Sequence, residues 1–226
     1  MIKVFRVICA VAILTLAISL TYAQDDIYRV EGFGGYSYMN LDRAVDLSQF
    51  SNGNFNRVHS HGFNGSVAYN FNRYWGAKFD LTLHTHGEDF QSNLVVNPLA
   101  TVTNGTFKTS QSDYQYMGGV QIKDNKREGP RFKPFAHVLA GISDQHFSID
   151  ETSPTNTQLV KLSKTGFGMK FGGGIDYKLT KNLDARFIQF DYNPIWRSST
   201  NFGTSFGTVD SAVRNNWLLT FGVVIH

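Results

Sequence analysis

The chain has 226 residues, of which 42% are hydrophobic, and its formal net charge is +3 at neutral pH. A charge so close to balance predicts no nucleic-acid-binding surface. The only cysteine, Cys9, lies in the N-terminal apolar segment, so the chain without that segment could form neither a disulfide nor a thiolate zinc site.

The N-terminus has the parts of a secretory signal peptide. Lys3 and Arg6 precede an apolar run from residue 7 to residue 20, and Ala23 offers a small residue for cleavage. A membrane anchor is the alternative, but roughly 14 apolar residues fall short of the roughly 20 that a spanning helix needs. The predicted boundaries are 1–23 for a cleaved signal peptide and 24–226 for one domain, with a formal charge of about +1.

Eight strands are predicted after the signal peptide, because apolar and polar residues alternate with a period of two. In residues 62–71, for example, Phe63, Val67 and Tyr69 face one way, and small polar side chains face the other. The predicted strands are 27–39, 62–71, 75–86, 111–123, 132–147, the two strands of a hairpin at 166–192, and 214–226.

Two of these strands need further assignment of their faces. In the first, Tyr28 is predicted on the apolar face with Val30, and Arg29 on the polar face with Glu31. In the fifth, both parities carry apolar residues, and we place His137 inward. The residues then predicted outward are Ala136, Val138, Ala140 and Ile142.

The connections between the predicted strands alternate between long and short. Polar stretches at 41–58, 87–108, 148–163 and 197–213 would lie together at one end of an up-and-down sheet, and loops of this length tend to carry function. Closure of the sheet removes its edges, as lipid requires. The predicted fold class is all-β, an eight-stranded antiparallel up-and-down transmembrane β-barrel with short periplasmic turns.

Aromatic residues separate a membrane barrel from a soluble one. A soluble barrel such as a lipocalin also has eight alternating strands, but membrane barrels carry girdles of aromatic residues at both interfaces. The aromatics near the short turns are Tyr69, Phe71, Tyr74, Trp75, Phe132 and Tyr177, and those near the long loops are Tyr36, Tyr38, Phe63 and Tyr114.

Opposite charges recur on the polar face of single strands, as in Lys78 with Asp80 and Lys170 with Asp176. Paired charges suit a narrow barrel whose interior, the lumen, is filled by side chains. We therefore expect no open pore, and conduction would need these pairs to rearrange. The predicted lumenal polar network consists of Arg29, Glu31, Lys78, Asp80, Lys170, Asp176 and Arg186.

The hairpin at 166–192 turns at residues 179–182 and is rich in glycine, which predicts sharp bending or close approach by neighbouring strands. In its second strand, Arg186 and Gln189 lie on opposite parities, although both suit the lumen. We predict a β-bulge between them. The alternative is unbroken alternation, with one polar set facing the periplasmic interface.

Motifs typical of one family occur in the second half of the chain: KPFAH at 133–137, FGGGIDY at 171–177, and DAR at 184–186 followed by QFDY at 189–192. With these motifs the chain resembles, end to end, the small outer-membrane β-barrel family related to the N-terminal domain of outer-membrane protein A. The resemblance implies the outer membrane of a Gram-negative bacterium. We expect two departures from the family pattern: no peptidoglycan-binding domain after the barrel, and His226 in place of the aromatic residue that usually ends the chain and assists assembly.

Four histidines lie near the predicted extracellular rim and could suggest a metal site. The predicted register places Gly62 opposite His84, with His86 on the same face as His84. His59 and His61 then point to the other face unless a bulge intervenes. We therefore expect solvated histidines and no bound metal.

Two groupings could suggest catalysis of the kind found in outer-membrane lipid hydrolases and acyltransferases. They are His146 with Ser148 and Asp150, and His86 with Glu88. Such spacings arise often by chance in polar loops, so we expect no enzyme activity.

The sequence thus predicts a non-enzymatic outer-membrane β-barrel protein with a structural or surface role through four long extracellular loops. A rival hypothesis is an adhesin or ligand-binding surface barrel, and a less favoured one is a lipid-modifying enzyme. The expected partners are outer-membrane lipids, the barrel assembly machinery and any extracellular ligand of the loops. We expect a monomer, with no cofactor and no nucleic acid.

Overall fold

The computed structural model describes residues 26–42, 57–95, 102–151, 158–197, 200–201, 208–209 and 212–226, so the predicted signal peptide lies outside the described residues. No helix among the described residues is long and apolar enough to cross a membrane. The strands are β1 Val30–Asp42, β2 Arg57–Asn70, β3 Trp75–Val95, β4 Val102–Lys123, β5 Phe132–Glu151, β6 Gln158–Lys178, β7 Leu183–Arg197, β8 Thr200–Asn201, β9 Thr208–Val209 and β10 Ala212–Ile225.

Strands β1 to β7 and β10 form a closed antiparallel barrel. The barrel closes where β1 pairs with β10, from Gly32 opposite Ile225 to Asn40 opposite Trp217. Closure pairs the backbone edges that an open sheet would leave exposed. The predicted all-β, eight-stranded antiparallel barrel is confirmed. Strands β8 and β9 form a separate two-stranded sheet within the fourth predicted polar stretch.

The two faces of the barrel wall follow the predicted alternation. On β2, Asn64 is buried in the lumen, whereas Phe63 and Tyr69 are exposed on the outside. The assignment for the fifth predicted strand is also confirmed, since His137 on β5 is buried and Val138 is exposed. The backbone of a closed sheet is hydrogen-bonded throughout, so the side chains alone distinguish a polar interior from an apolar exterior.

Four strands continue far beyond their predicted ends. β3 runs to Val95 and β4 begins at Val102, so most of the predicted loop at 87–108 is strand. In the same way, β5 and β6 leave only residues 152–157 between them, where a loop at 148–163 was predicted. That prediction was wrong because the alternation of apolar residues ends with the apolar band, whereas the backbone ladder needs no apolar face to continue.

The predicted bulge is present on β7. Asp176 of β6 pairs with Arg186, but the preceding Ile175 pairs with Ile188, so Phe187 is the extra residue. Phe187 and Ile188 are both exposed on the outside. The bulge thereby keeps Arg186 and Gln189 in the lumen, and unbroken alternation is excluded.

Tyr28 is placed differently from the prediction. It precedes β1 and is buried rather than exposed. Its ring stacks on that of His226, with centroids 3.9 Å apart, and its hydroxyl donates to the carbonyl oxygen of Lys181. The alternation of β1 does not extend back to Tyr28, because only residues within the ladder are held to a period of two.

Candidate functional site

The lumen holds the buried charged side chains of the described fold and is the candidate functional site. Among the described residues, it buries equal numbers of acidic and basic side chains. Buried charges must be paired and hydrogen-bonded, because an isolated charge away from water is very costly. The acidic residues are Glu31, Asp80, Asp113, Asp176, Asp184 and Asp191, and the basic ones are Lys78, Lys123, Lys133, Lys170, Arg186 and Arg197.

A lysine from one side of the barrel meets a carboxylate from the other. Lys170 of β6 places its Nζ 2.6 Å from Oδ1 of Asp80 on β3. The same ammonium donates to the hydroxyl of Thr82 at 2.9 Å, and Asn64 donates to both carboxylate oxygens of Asp80 at 3.0 Å. This pair ties together strands that are not neighbours in the sheet.

A second network occupies the half of the lumen nearer the short turns. Lys123 bridges two carboxylates, with its Nζ 2.9 Å from Glu31 and 2.8 Å from Asp176. Arg186 binds Asp176 with two hydrogen bonds, from Nε at 2.7 Å and Nη2 at 3.0 Å. This paired geometry is the strong, directional form of an arginine–carboxylate contact.

The second network continues along the lumen through Gln189, Asp191 and His137. Arg186 donates to the amide oxygen of Gln189 at 2.8 Å, and Gln189 donates to Asp191 at 2.7 Å. The other oxygen of Asp191 lies 3.0 Å from Nε2 of His137. Nδ1 of that ring lies 3.3 Å from Nζ of Lys78. These contacts link β3, β5 and β7 through one chain of polar atoms.

Arg197 holds a third group of polar side chains nearer the long connections. Its Nη2 lies 3.4 Å from Asp113 and donates to the hydroxyl of Ser143 at 3.3 Å. Its Nη1 donates to the amide oxygen of Gln145. Apolar side chains fill space between the polar groups, and the buried ones include Met39, Met117, Leu139, Ile195 and Leu218.

His226 belongs to a cluster at the short-turn end. Its Nε2 lies 2.8 Å from Oδ2 of Asp184, and that oxygen is 3.3 Å from Nζ of Lys133. The Lys133 ammonium also lies 4.8 Å from the centre of the Tyr28 ring. The cluster connects the residue that follows β10 with β5, β7 and the segment before β1.

Replacing His226 with Ala is expected to lower the free energy of unfolding by about 1.5–3 kcal/mol, because a buried hydrogen bond to a charged group is lost. Equilibrium urea unfolding of the refolded barrel in detergent measures the change. His146→Ala is a matched control, since that histidine lies at the opposite end and is half-exposed. Equal stability of the two variants would contradict a structural role for the His226 cluster.

Glycines on the lumen face of β6 leave room for side chains from neighbouring and distant strands. A Cβ at Gly172 would lie 1.8 Å from Oδ1 of Asp191, and one at Gly166 would lie 2.9 Å from Cγ of Arg197. Both distances are far below a van der Waals contact. The glycine-rich hairpin therefore makes space for the ion-pair network, which is the close approach that its composition predicted.

The structure places six of the seven predicted network residues in the lumen, and Arg29 is the exception. Arg29 precedes β1, and its Nη1 donates to the carbonyl oxygen of Phe71 at 3.0 Å. Its expected partner Glu31 binds Lys123 instead. The other predicted pairs are also replaced: Asp80 binds Lys170, and Asp176 binds Arg186 and Lys123.

Six further lumenal charges were missing from the predicted network. For five of them the signal was available, because each lies on the polar parity of its predicted strand. Arg197 lay in the polar stretch predicted at 197–213, and the structure extends β7 to include it. Alternation could not predict the partners of these charges. It shows which face of the sheet a side chain lies on, whereas the partners lie on other strands. The missing charges are Asp113, Lys123, Lys133, Asp184, Asp191 and Arg197.

The structure is thus a closed barrel with a charged lumen and an apolar exterior. One protein-family model, described as the outer membrane protein beta-barrel domain, matches residues 8–223 of the chain. The chain belongs to this outer-membrane β-barrel family. Its place is therefore the outer membrane of a Gram-negative bacterium. Comparison with curated proteins gave no match.

Solved structures of outer-membrane barrels are also similar to this chain. Ail, the attachment invasion locus protein of Yersinia pestis, is 14% identical, with 88% of this chain and 100% of that chain covered and a TM-score of 0.49. Neisserial surface protein A is 14% identical, with 89% and 99% covered and a TM-score of 0.47. OprG from Pseudomonas aeruginosa is 14% identical, with 87% and 94% covered and a TM-score of 0.46.

Exposed aromatic residues on the outside of this outer-membrane barrel include some at each end of the apolar band. Phe71, Trp75 and Phe132 are exposed at the short-turn end, and Tyr36 and Phe63 are exposed towards the other end. Short turns of such barrels face the periplasm. The aromatics at these two ends accordingly lie where membrane barrels carry their interfacial aromatic residues.

The four rim histidines of the family barrel lie on two different faces. Gly62 pairs with His84, as predicted. His84 is buried in the lumen, whereas His59 and His61 are exposed on the outside and hydrogen-bonded to tyrosines of β1. Within the described ranges, no group of three or more acidic, histidine or cysteine side chains is arranged to hold a metal ion. The prediction that these histidines are solvated is therefore wrong for His84, which faces the lumen. The expected absence of a bound metal stays a prediction.

The candidate catalytic histidine contacts an acid that was not part of its predicted grouping. Nε2 of His146 lies 3.3 Å from Oδ2 of Asp144. Asp144 also accepts hydrogen bonds from Thr165 at 3.2 Å and Ser163 at 3.5 Å. The two predicted acids are Asp150 and Glu88, and their side chains lie outside those that the structure describes.

Proposed function

We propose that this protein is a non-enzymatic outer-membrane anchor that holds extracellular segments at the cell surface. The observation that carries the proposal is the lumen, where buried, charge-balanced side chains link strands across the barrel. Such a lumen resists shape change, because separating any pair would leave a charge buried without its partner. A rigid, filled barrel suits anchoring better than solute transport.

The projecting part of the barrel supports a surface role. Strands β3 and β4 have 21 and 22 residues, whereas about 9–11 residues cross a membrane. Their ladder continues to the pairing of Val95 with Val102. Strands β5 and β6 extend the same sheet, with pairing as far as Asp150 opposite Gln158. We define the four-stranded part above the apolar band as the projecting sheet, 86–95, 102–111, 146–151 and 158–163.

Outer-membrane fractionation and heat-modifiable gel migration test the anchor. The folded barrel is expected in the outer-membrane fraction, and the unheated sample should migrate as a more compact species than the boiled one. A soluble product whose migration does not depend on heating would contradict the proposal. Planar-bilayer recordings extend the test, since a filled lumen is expected to give no steady conductance.

An adhesin or ligand-binding barrel is the second candidate, and the projecting sheet is the observation that favours it. Removing residues 88–109 and joining the strands by Asn-Gly separates the two candidates, because this dipeptide forms the tight turn of a hairpin. Gly87 pairs with Ser110, so the shortened hairpin keeps the ladder below them.

With a structural role, the shortened barrel should preserve envelope integrity as well as the full barrel does. With a binding role, it should lose cell adhesion while remaining folded in the membrane. A null strain without either defect would count against both candidates. Heat-modifiable migration of the shortened protein is the control for folding.

We also propose that residues 1–23 are removed on export. The support is the basic start, the short apolar run and the small residue Ala23. N-terminal sequencing of protein from outer membranes should begin at Gln24. A protein that keeps Met1 would contradict cleavage.

A further inference from the structure

The short-turn end of the barrel is rich in positive charge. In residues 26–29, 71–74, 124–131 and 178–182, seven Lys or Arg side chains stand against three Asp or Glu. Because these segments are the short turns and the segment before β1, their charges encircle the periplasmic end of the barrel. We define the basic rim as Arg73, Lys126, Arg127, Arg131, Lys178 and Lys181.

Two of the three acids in this region are already bound to cations of the basic rim. Asp124 lies 2.8 Å from Nη2 of Arg73, and the hydrogen bonds that Arg73 donates hold the pKa of this carboxyl below its usual range. Asp26 lies 3.4 Å from Nζ of Lys126. Among the described turn residues, Glu128 is then the one acid left to balance the other cations of the basic rim. These four cations are Arg127, Arg131, Lys178 and Lys181.

Cations of the basic rim stand beside exposed apolar groups. Leu179, at the turn between β6 and β7, is 53% exposed, and Lys178 and Lys181 flank it. Tyr74 is also exposed, and the guanidinium of Arg73 lies 5.0 Å from the centre of its ring. Phe132, next to Arg131, is among the most exposed aromatics.

Cations alternating with exposed apolar groups fit the boundary between lipid headgroups and acyl chains. At that boundary apolar side chains contact the acyl region, and Lys or Arg extend to the phosphates. A soluble polyanion in the periplasm would match the charges but would leave Leu179 and the rings in water. The surface therefore favours a lipid over a protein or a polysaccharide.

We propose that the basic rim selects anionic glycerophospholipids, such as phosphatidylglycerol, in the periplasmic leaflet. Guanidinium groups bind phosphate oxygens through paired hydrogen bonds, and a net negative headgroup adds attraction to the uncompensated cations. This binding is separate from the surface role, because it uses the opposite end of the barrel. Lipids held here would fix the depth and tilt of the barrel in the membrane.

Lipid selectivity of the refolded full-length protein tests the proposal. Electron spin resonance of spin-labelled phosphatidylglycerol and phosphatidylcholine in phosphatidylcholine vesicles gives the ratio of their association constants. The wild type is expected to prefer phosphatidylglycerol about three-fold or more at low salt. Combining Arg127→Gln, Arg131→Gln and Lys181→Gln should bring the ratio close to one, and high salt should weaken the wild-type preference.

Lys181→Gln and Lys108→Gln form a matched pair, since each removes one exposed lysine but from opposite ends of the barrel. Only Lys181→Gln is expected to lower the ratio. Heat-modifiable migration shows that each variant is folded. An equal effect of the two variants, a wild-type ratio of one, or an unchanged ratio in the triple variant would overturn the proposal. Cosedimentation with peptidoglycan sacculi that depends on the three cations would assign the surface to that polymer instead.

Discussion

Replacing Lys170 with Met is expected to lower the free energy of unfolding by about 3–5 kcal/mol, because the substitution leaves the carboxylate of Asp80 buried without its nearest cation. Asp80 is fully buried, and the ammonium of Lys170 lies 2.6 Å from it. Thr82 would lose the same donor. Equilibrium unfolding by urea in phospholipid vesicles measures the difference.

The double variant Lys170→Met, Asp80→Asn shows whether the loss comes from the stranded charge. Removing both charges is expected to recover much of the stability, because replacing a whole buried pair often costs far less than breaking it. Lys108→Met is the matched control, since this exposed lysine should change stability by less than about 0.5 kcal/mol. A single Lys170→Met variant as stable as the control would show that the cross-barrel pair contributes little.

Gly172→Ala is expected to be about as damaging, with a loss of about 3 kcal/mol or more, because the new Cβ overpacks the lumen and displaces the buried carboxylate of Asp191. The new Cβ would lie 1.8 Å from Oδ1 of Asp191 and 2.5 Å from the carbonyl oxygen of Phe190. The carboxylate would have to move away from His137, which it now contacts at 3.0 Å. Urea unfolding gives the loss, and the unheated gel band reports whether the barrel still closes.

Gly118→Ala is the matched control for this substitution. Gly118 lies in β4 on the outer face, and the nearest atom to a new Cβ would be the carbonyl oxygen of Lys78 at 4.0 Å. Its effect should stay within about 0.5 kcal/mol of the wild type. Equal stability of the Gly172→Ala and Gly118→Ala variants would contradict the close contact between Gly172 and the side chain of Asp191.

Both predictions concern the same property of a narrow barrel. The lumen is filled by side chains from neighbouring and distant strands of the sheet, so each side chain must fit the space that the others leave. Gly172 gives space to Asp191, and the backbone at Gly166 is passed closely by Arg197. A change at one glycine is therefore a change in the ion-pair network.

The sequence by itself determined the properties that depend on local periodicity. Alternation predicted eight strands and their two faces, even for β5, where both parities carry apolar residues. Opposite parities of Arg186 and Gln189 predicted the bulge, because a polar side chain in the apolar face would be costly. The register of Gly62 with His84 followed from the short turn between β2 and β3.

Only the tertiary structure decided which charges meet. Lys170 reaches Asp80 and Lys123 reaches Glu31 because the tilt and stagger of the closed sheet bring distant strands to one level. Alternation along one strand carries no such information. The length of β3 to β6 was also decided in the tertiary structure, since backbone pairing between strands continues after the apolar pattern has ended.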